Sequence, residues 1–81
     1  MNYRFEVMEV NLFPDYKEVS LKYIADDEGV VMLVDTAKFK VFSDGLIEHD
    51  RNHFKKFRDA REANEVMGKC IEHLSSQRHS L

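Results

Sequence analysis

Apolar and polar residues alternate strictly a few positions after the only proline of the chain. Val19, Leu21 and Tyr23 are separated from one another by single polar residues. A period of two residues is the pattern of a β-strand with one buried face. The segment therefore predicts the clearest strand of the chain. It also restricts the fold to a sheet whose apolar face is covered by a second layer.

The N-terminal segment predicts another strand. Tyr3, Phe5 and Val7 alternate with polar residues, and the apolar pattern then restarts one position out of step at Met8. This slip indicates either a β-bulge near Val7 and Met8 or a strand that is apolar on both faces. The strand has to end at Phe13-Pro14-Asp15, because proline offers no backbone donor to a ladder.

Two glycine-containing segments predict hairpin connections. Residues 26–29 end in a glycine that can adopt a positive φ. The apolar run 30–34 then favours a buried strand, and residues 38–43 continue the sheet as a separate strand or after a bend at 35–36. Asp44-Gly45 is the strongest short hairpin signal, and it leads into a return strand that fades after Ile47.

The last third of the chain predicts one helix. If residues 54–74 formed a single helix, Phe54 and Phe57 would point far from the apolar stripe of the other residues, because each residue advances the phase by about 100°. A capping box at residues 59–62 resolves the conflict by starting the helix at about residue 60 and ending it near 75. Residues 52–57 are then a short strand or an extended lead-in. The residues expected to face the sheet are Ala63, Met67, Cys70, Ile71 and Leu74.

The predicted fold is therefore α+β, an antiparallel β-meander of four to five strands followed by one C-terminal α-helix (about 60–75) packed on one face of the sheet. The length of 81 residues suits one small domain, expected at residues 1–75, with a flexible tail at residues 76–81.

Composition bears on the cellular location of the protein and on the kinds of partner it could bind. The single cysteine and the absence of a basic, apolar leader at the start favour a cytoplasmic protein. The longest apolar run, residues 30–34, is far shorter than the roughly 20 residues of a membrane span, so no membrane partner is expected. Charge is uneven: residues 1–50 hold five basic and eleven acidic residues, whereas residues 51–81 hold seven basic and four acidic residues.

The chemistry-bearing residues do not form a recognisable catalytic or metal-binding pattern. His49 and His53 lack an identifiable third ligand, and Cys70, three residues from His73, falls in the apolar stripe of the helix. The sequence also lacks phosphate-binding loops and nucleophile motifs. We expect neither an enzyme nor a cofactor or metal site.

Two polar segments are candidate contacts for a protein partner. The first is an acidic corner, Asp26, Asp27 and Glu28, in a predicted hairpin connection. The second is a polar loop that contains Glu48, His49, Asp50 and His53. A homodimer stays open as well, because an unpaired strand edge or the outer face of a thin sheet could be buried against a second copy.

Nucleic acid is the alternative partner. The candidate contacts form a basic ridge in which aromatic residues are interleaved, the combination that neutralises phosphates and stacks on bases. The acidic first half of the chain opposes this role, and so small a domain needs its phenylalanines for the core. The basic residues are Arg51, Lys55, Lys56, Arg58 and Arg61.

The proportions of the chain, a short acidic meander closed by a helix, resemble those of small accessory proteins of phages and mobile elements, including inhibitors of host defence systems. The resemblance is architectural and transfers no functional residue. It implies a small non-enzymatic regulator or inhibitor that binds a host or defence protein.

Overall fold

Four antiparallel strands and two helices make up the structure, a computed structural model that describes residues 1–77 and, of Arg51, the backbone alone. The strands lie in one sheet in the order of the chain, so the predicted α+β meander is confirmed with four strands. The elements are β1 (Asn2–Leu12), β2 (Tyr16–Asp27), β3 (Val30–Phe42), β4 (Ile47–His49), α1 (Arg51–Phe54) and α2 (Ala60–Gln77).

Strand β2 is the centre of the sheet. It pairs along its length with β1 on one side and with β3 on the other. Its alternating apolar residues all face α2, and Leu21 and Tyr23 are completely buried. Leu21 has Val7 and Ala37 as its neighbours across the ladders. The period of two therefore indicated both the strand and its buried face.

The predicted bulge in β1 lies between Val7 and Glu9, so that prediction is confirmed. The extra residue changes the alternation of the strand by one position. Val7 pairs with Leu21 and Val10 pairs with Val19, so both valines lie on the face towards α2. The slip in the sequence pattern thus keeps β1 apolar on one face along its whole length.

The β2–β3 connection is a two-residue turn at Glu28 and Gly29. Both residues have positive φ, 51° and 85°, as a type I′ hairpin turn requires. Strand β3 continues from Val30 to Phe42 without a break, so the alternative with two separate strands is wrong. Gly45, with φ of 99°, forms the next turn.

Residues 51–54 form the short helix α1, so the prediction of a strand or an extended lead-in at residues 52–57 is wrong. The Asp50 side chain accepts a hydrogen bond from the Asn52 amide at 2.9 Å and caps this helix. Phe54 is buried against Phe39 and Phe57. Six residues carry too little periodicity to distinguish one helical turn from an extended segment.

Helix α2 begins at Ala60, directly after the predicted capping residue Asp59. The Asp59 side chain accepts a hydrogen bond from the Arg61 amide at 2.8 Å, one residue earlier than in the expected capping box. Ala63, Val66, Cys70 and Leu74 are buried, whereas Met67 and Ile71 are partly buried beside them. Val66 was missing from the predicted face. The helix extends to Gln77, and residues 78–81 of the predicted tail lie outside the described residues.

We predict that Asp59→Ala lowers the free energy of unfolding by about 1 kcal/mol, because the Arg61 amide loses its acceptor. Urea unfolding followed by circular dichroism measures the change. Asp59→Asn is the matched control, since it removes the charge but keeps an acceptor oxygen. Equal destabilisation by both substitutions would contradict the capping role.

Candidate protein-binding surfaces

The sheet is longer than the helix that covers it. An 18-residue helix such as α2 spans about 27 Å, whereas a 13-residue strand such as β3 extends over at most about 40 Å. Tyr3 lies near Glu62 and Glu65 in the first half of α2, and Phe5 stacks on His73 at 4.6 Å between ring centroids. The helix therefore follows the strands and leaves apolar residues uncovered at both ends of the sheet.

The first uncovered region is the β1 surface, formed by Val7, Val10 and Leu12 on the face towards α2. These side chains are exposed, and Leu12 is 80% exposed. A small cleft of about 160 Å³ opens between them and the end of α2. The lining is apolar apart from two side chains and consists of Val7, Val10, Lys17, Val19, Val41, Leu74 and Gln77.

The outer edge of β1 also offers backbone hydrogen-bonding groups. Lys38 directs its carbonyl to the Asp50 amide at 3.3 Å, on the side away from β2. Its partner Ser20 therefore directs its own backbone groups to Glu9 in β1. Since these directions alternate along a strand, Val10 directs its N–H and C=O away from β2, where no strand pairs within residues 1–77.

The second uncovered region is the β3 edge, formed by Val30, Val31, Met32 and Val34, which are 52% to 62% exposed. Val31 pairs with Asp26 and Val34 with Ile24, so these two side chains lie on the face of the sheet away from α2. Strand β4 pairs only with Phe39 to Val41, so the preceding part of β3 has no strand neighbour on that side among the described residues. By the same alternation, Val34 directs its backbone groups outward, as Lys38 does.

One outward amide of β3 is already satisfied. The Thr36 N–H donates to the Asp35 carboxylate at 2.8 Å. Burial raises the pKa of Asp35, but its hydrogen bonds from Lys56 and Thr36 and the charge of Lys56 outweigh burial, so its pKa lies below the ordinary value. The carboxylate thus stays charged at neutral pH and blocks strand addition beyond Val34.

The predicted acidic corner lies at the end of the β3 edge. Asp26 forms an ion pair with Arg4 at 3.7 Å and is partly buried. Asp27 and Glu28 are exposed and flank the turn that leads into Val30. The structure therefore places two of the three predicted acidic contacts beside an apolar edge.

The prediction of a polar loop at residues 48–53 is wrong, because these residues belong to β4 and α1 or connect them. Glu48 and His49 belong to β4, Asp50 caps α1, and His53 lies on α1. The first three line an open depression of about 640 Å³ with mixed charge. The hairpin signal at Asp44-Gly45 predicts the turn before β4 but does not indicate that pairing continues to Glu48 and His49.

His53 is turned away from this hollow and towards the core. Its Nε2 lies 2.8 Å from the Tyr23 hydroxyl, and its ring packs against Phe54. Burial, together with the nearby Lys56 charge, lowers the pKa of His53, whereas Asp35 and Asp50 oppose the shift. Burial likewise raises the pKa of the Tyr23 hydroxyl. The pair is a satisfied structural contact rather than an open acid–base centre.

The basic ridge lies at the junction of α1 and α2, not at the strand-to-helix junction that the sequence suggested. Lys55, Lys56, Arg58 and Arg61 are exposed, and Lys56 forms an ion pair with Asp35. The side chain of Arg51 lies outside the described residues. The four described cations are close in sequence and share the surface around this junction.

Cys70 is completely buried, and burial raises the pKa of its thiol to about 12. It is therefore a protonated core residue at neutral pH. No group of three or more side chains that could hold a metal ion occurs in the part of the chain that the structure describes. Neither of the two helices within residues 1–77 is long and apolar enough to cross a membrane.

No protein-family model, curated protein or solved structure matches the chain.

We predict that the protein loses stability as the pH falls from about 7.5 to 5.5. The pKa values of His53 and His73 are lowered by burial, so the unfolded chain binds protons in the window between these lowered values and about 6.5, where the folded chain does not. Urea unfolding at both pH values measures the effect. The double variant His53→Gln/His73→Gln is expected to show a smaller loss, and an unchanged loss would contradict this assignment.

Proposed function

We propose that the chain is a non-enzymatic protein-binding module, a regulator or inhibitor whose partner adds an extended segment to the free edge of β1. The observation that carries the proposal is the β1 surface. Its apolar side chains continue the core face of the sheet, and the part of α2 that the structure describes, Ala60–Gln77, leaves them exposed. A contiguous apolar surface beside an unpaired edge is typical of a protein-binding site.

The chemistry of the partner segment follows from the edge and the cleft. Backbone groups of the segment would pair with the outward groups of Val10, while every second side chain would face the β1 surface. A volume of about 160 Å³ is close to that of a cavity, about 150 Å³, that holds one benzene ring. The cleft thus suits one apolar anchor residue.

Lys17 adds a charge requirement. It lines the cleft, and it forms no ion pair with the residues that the structure describes. An acidic side chain next to the apolar anchor would neutralise it in a partly apolar setting. The favoured partner segment is therefore extended, alternates apolar and polar residues, and carries an aspartate or glutamate beside its anchor.

Two features support binding over catalysis. The cleft is smaller than the roughly 300 Å³ at which small-molecule sites begin, and the larger depression beside Glu48, His49 and Asp50 is open and of mixed charge rather than a mostly apolar enclosure. The described side chains that could serve as a nucleophile or an acid–base group and have shifted pKa values are not available to a substrate. Cys70 is buried, and Tyr23 and His53 are hydrogen-bonded to each other. The proposed setting is the cytoplasm, which keeps a single thiol reduced. A partner among host or defence proteins would suit a phage or mobile-element accessory protein.

We predict that a displayed library of random linear peptides, selected on the protein, enriches sequences with alternating apolar residues and an acidic residue. Val10→Lys should weaken binding of the enriched peptides by at least about tenfold, because it places a charge in the apolar face that the anchor contacts. Fluorescence anisotropy with synthetic peptides measures the affinity.

The matched control is Val31→Lys, the same change at an exposed valine of β3. It is expected to leave peptide affinity unchanged. Charge reversal of Asp26, Asp27 and Glu28 tests the acidic corner as an alternative contact. If the enriched peptides bind Val10→Lys as well as the unchanged protein, the partner does not use the β1 surface.

Nucleic-acid binding is the second candidate, favoured by the four exposed cations of the basic ridge. It predicts binding to mixed-sequence DNA or RNA that is strongest at low salt and weakens steeply as salt rises. The double variant Lys55→Glu/Arg58→Glu should then abolish binding. Lys17→Glu is the matched control and should have little effect, because Lys17 lies in β2 and is not part of the basic ridge. No binding at low salt would exclude this role.

A further inference from the structure

Two acidic side chains lie side by side on the face of β1 that points away from α2. Glu6 pairs with Lys22 and Glu9 pairs with Ser20, the two residues that flank the buried Leu21 in β2. Since side chains alternate between the faces of a sheet, both acids point to the open face. Both residues are exposed.

The bulge at Met8 brings these two acids together. In a regular strand, residues three positions apart lie on opposite faces, because the side-chain period is two residues. The extra residue between Val7 and Glu9 changes this, so Glu6 and Glu9 share one face while Val7 and Val10 share the other. Their partners in β2 are two residues apart, which separates the two acids by about 7 Å along the strand.

Neither acid is neutralised by an ion pair within the described part of the chain. Arg4, the neighbouring cation on this face of β1, forms its ion pair with Asp26. Lys22 lies across from Glu6 without forming an ion pair with it. The open face of β1 is therefore negative at Glu6 and Glu9, directly beside the unpaired edge.

We infer that the segment added to β1 carries a lysine or arginine next to its apolar anchor, across from Glu9; this inference rests on the proposed function. Val10 directs its backbone groups to the segment, so the residue across from Val10 faces the cleft and the next residue faces the opposite side. In an antiparallel addition, that next residue forms a closely spaced pair with Glu9, at about 4.5 Å between Cα atoms. A long cationic side chain at this position also reaches the diagonal neighbour Glu6.

The segment need pair only with residues 9–12, between the bulge and the turn at Pro14, so the pairing does not cross the bulge. Its two faces then have opposite charge requirements. On the cleft side an acidic residue meets Lys17, and on the open face a basic residue meets Glu9.

The same acids argue against a second copy of the chain at this edge. Pairing two β1 strands would bring the four carboxylates of two copies to one face of the sheet, and like charges on neighbouring strands are destabilising. A segment with one cation next to its anchor instead neutralises this face. The charge pattern of β1 therefore selects a different chain.

A charge exchange between the protein and a peptide tests the inference. The probes are synthetic peptides enriched by selection on the unchanged protein, and fluorescence anisotropy at low salt measures their affinity. Glu9→Lys should weaken binding several-fold, and the effect should shrink as salt rises. Glu48→Lys, the same reversal at an exposed acid of the same face in β4, should leave the affinity unchanged.

The reciprocal change is made in the peptide. Replacing its basic residue next to the anchor by glutamate should weaken binding to the unchanged protein, and this peptide should bind Glu9→Lys more tightly than it binds the unchanged protein. A second selection, on Glu9→Lys, should enrich an acidic residue at that position. Circular dichroism and thermal unfolding of the protein variants confirm that the fold persists.

The outcomes separate this inference from the proposed function. If Val10→Lys weakens binding but Glu9→Lys and the exchanged peptide do not, or if the enriched peptides lack a basic residue beside the anchor, the cation requirement is wrong and the β1 site stands. If no peptide is enriched, or if the peptides bind Val10→Lys normally, the proposed function fails and the inference fails with it. A dimer in sedimentation velocity that Val10→Lys disrupts would show a second copy at this edge and would also overturn the inference.

Discussion

The structure depends on the pairing of β2 with a strand on each side. Its apolar residues lie at the centre of the sheet, where β1, β3 and α2 all contact them, and Leu21, Tyr23 and Ala25 are completely buried. The other strands are held by this ladder, and α2 has a continuous apolar face to pack against. Residues on β1 and β3 that are distant from β2 or beyond the ends of α2 receive much less cover.

Two features explain the exposed apolar residues: α2 is shorter than the sheet, and Val31 and Val34 lie on the sheet face opposite α2, since they pair with Asp26 and Ile24. A helix rises about 1.5 Å per residue and a strand about 3.3 Å, so 18 helical residues cannot cover strands of 11 to 13 residues. The uncovered residues fall at the outer part of β1 and at the start of β3. Both places coincide with open backbone edges, and at β1 this coincidence is the physical basis of the proposed protein-binding site.

Asp35 connects the polar parts of the molecule. It accepts the Thr36 amide, pairs with Lys56 and lies near the Tyr23–His53 contact. One carboxylate therefore fixes the α1–α2 junction to β3 and also satisfies the outward amide that follows Val34. It ends the free part of the β3 edge and so limits where another strand can pair.

Local patterns in the sequence determined the strands, the bulge near Met8, the hairpin turns and the start of α2 at Asp59, because each depends on neighbouring residues. They did not determine α1, whose few residues have no clear period, or Val66, which lies at the centre of the buried helix face. They also could not show that Glu48 and His49 extend β4, or that His53 turns inward to Tyr23. Only the tertiary structure decided which apolar residues stay exposed, because that depends on which face of the sheet α2 covers and on how far it reaches along that face. The sequence predicts a buried run at residues 30–34, yet most of this run is exposed, since Val31 and Val34 lie on the face away from α2 and β4 is too short to pair with this part of β3.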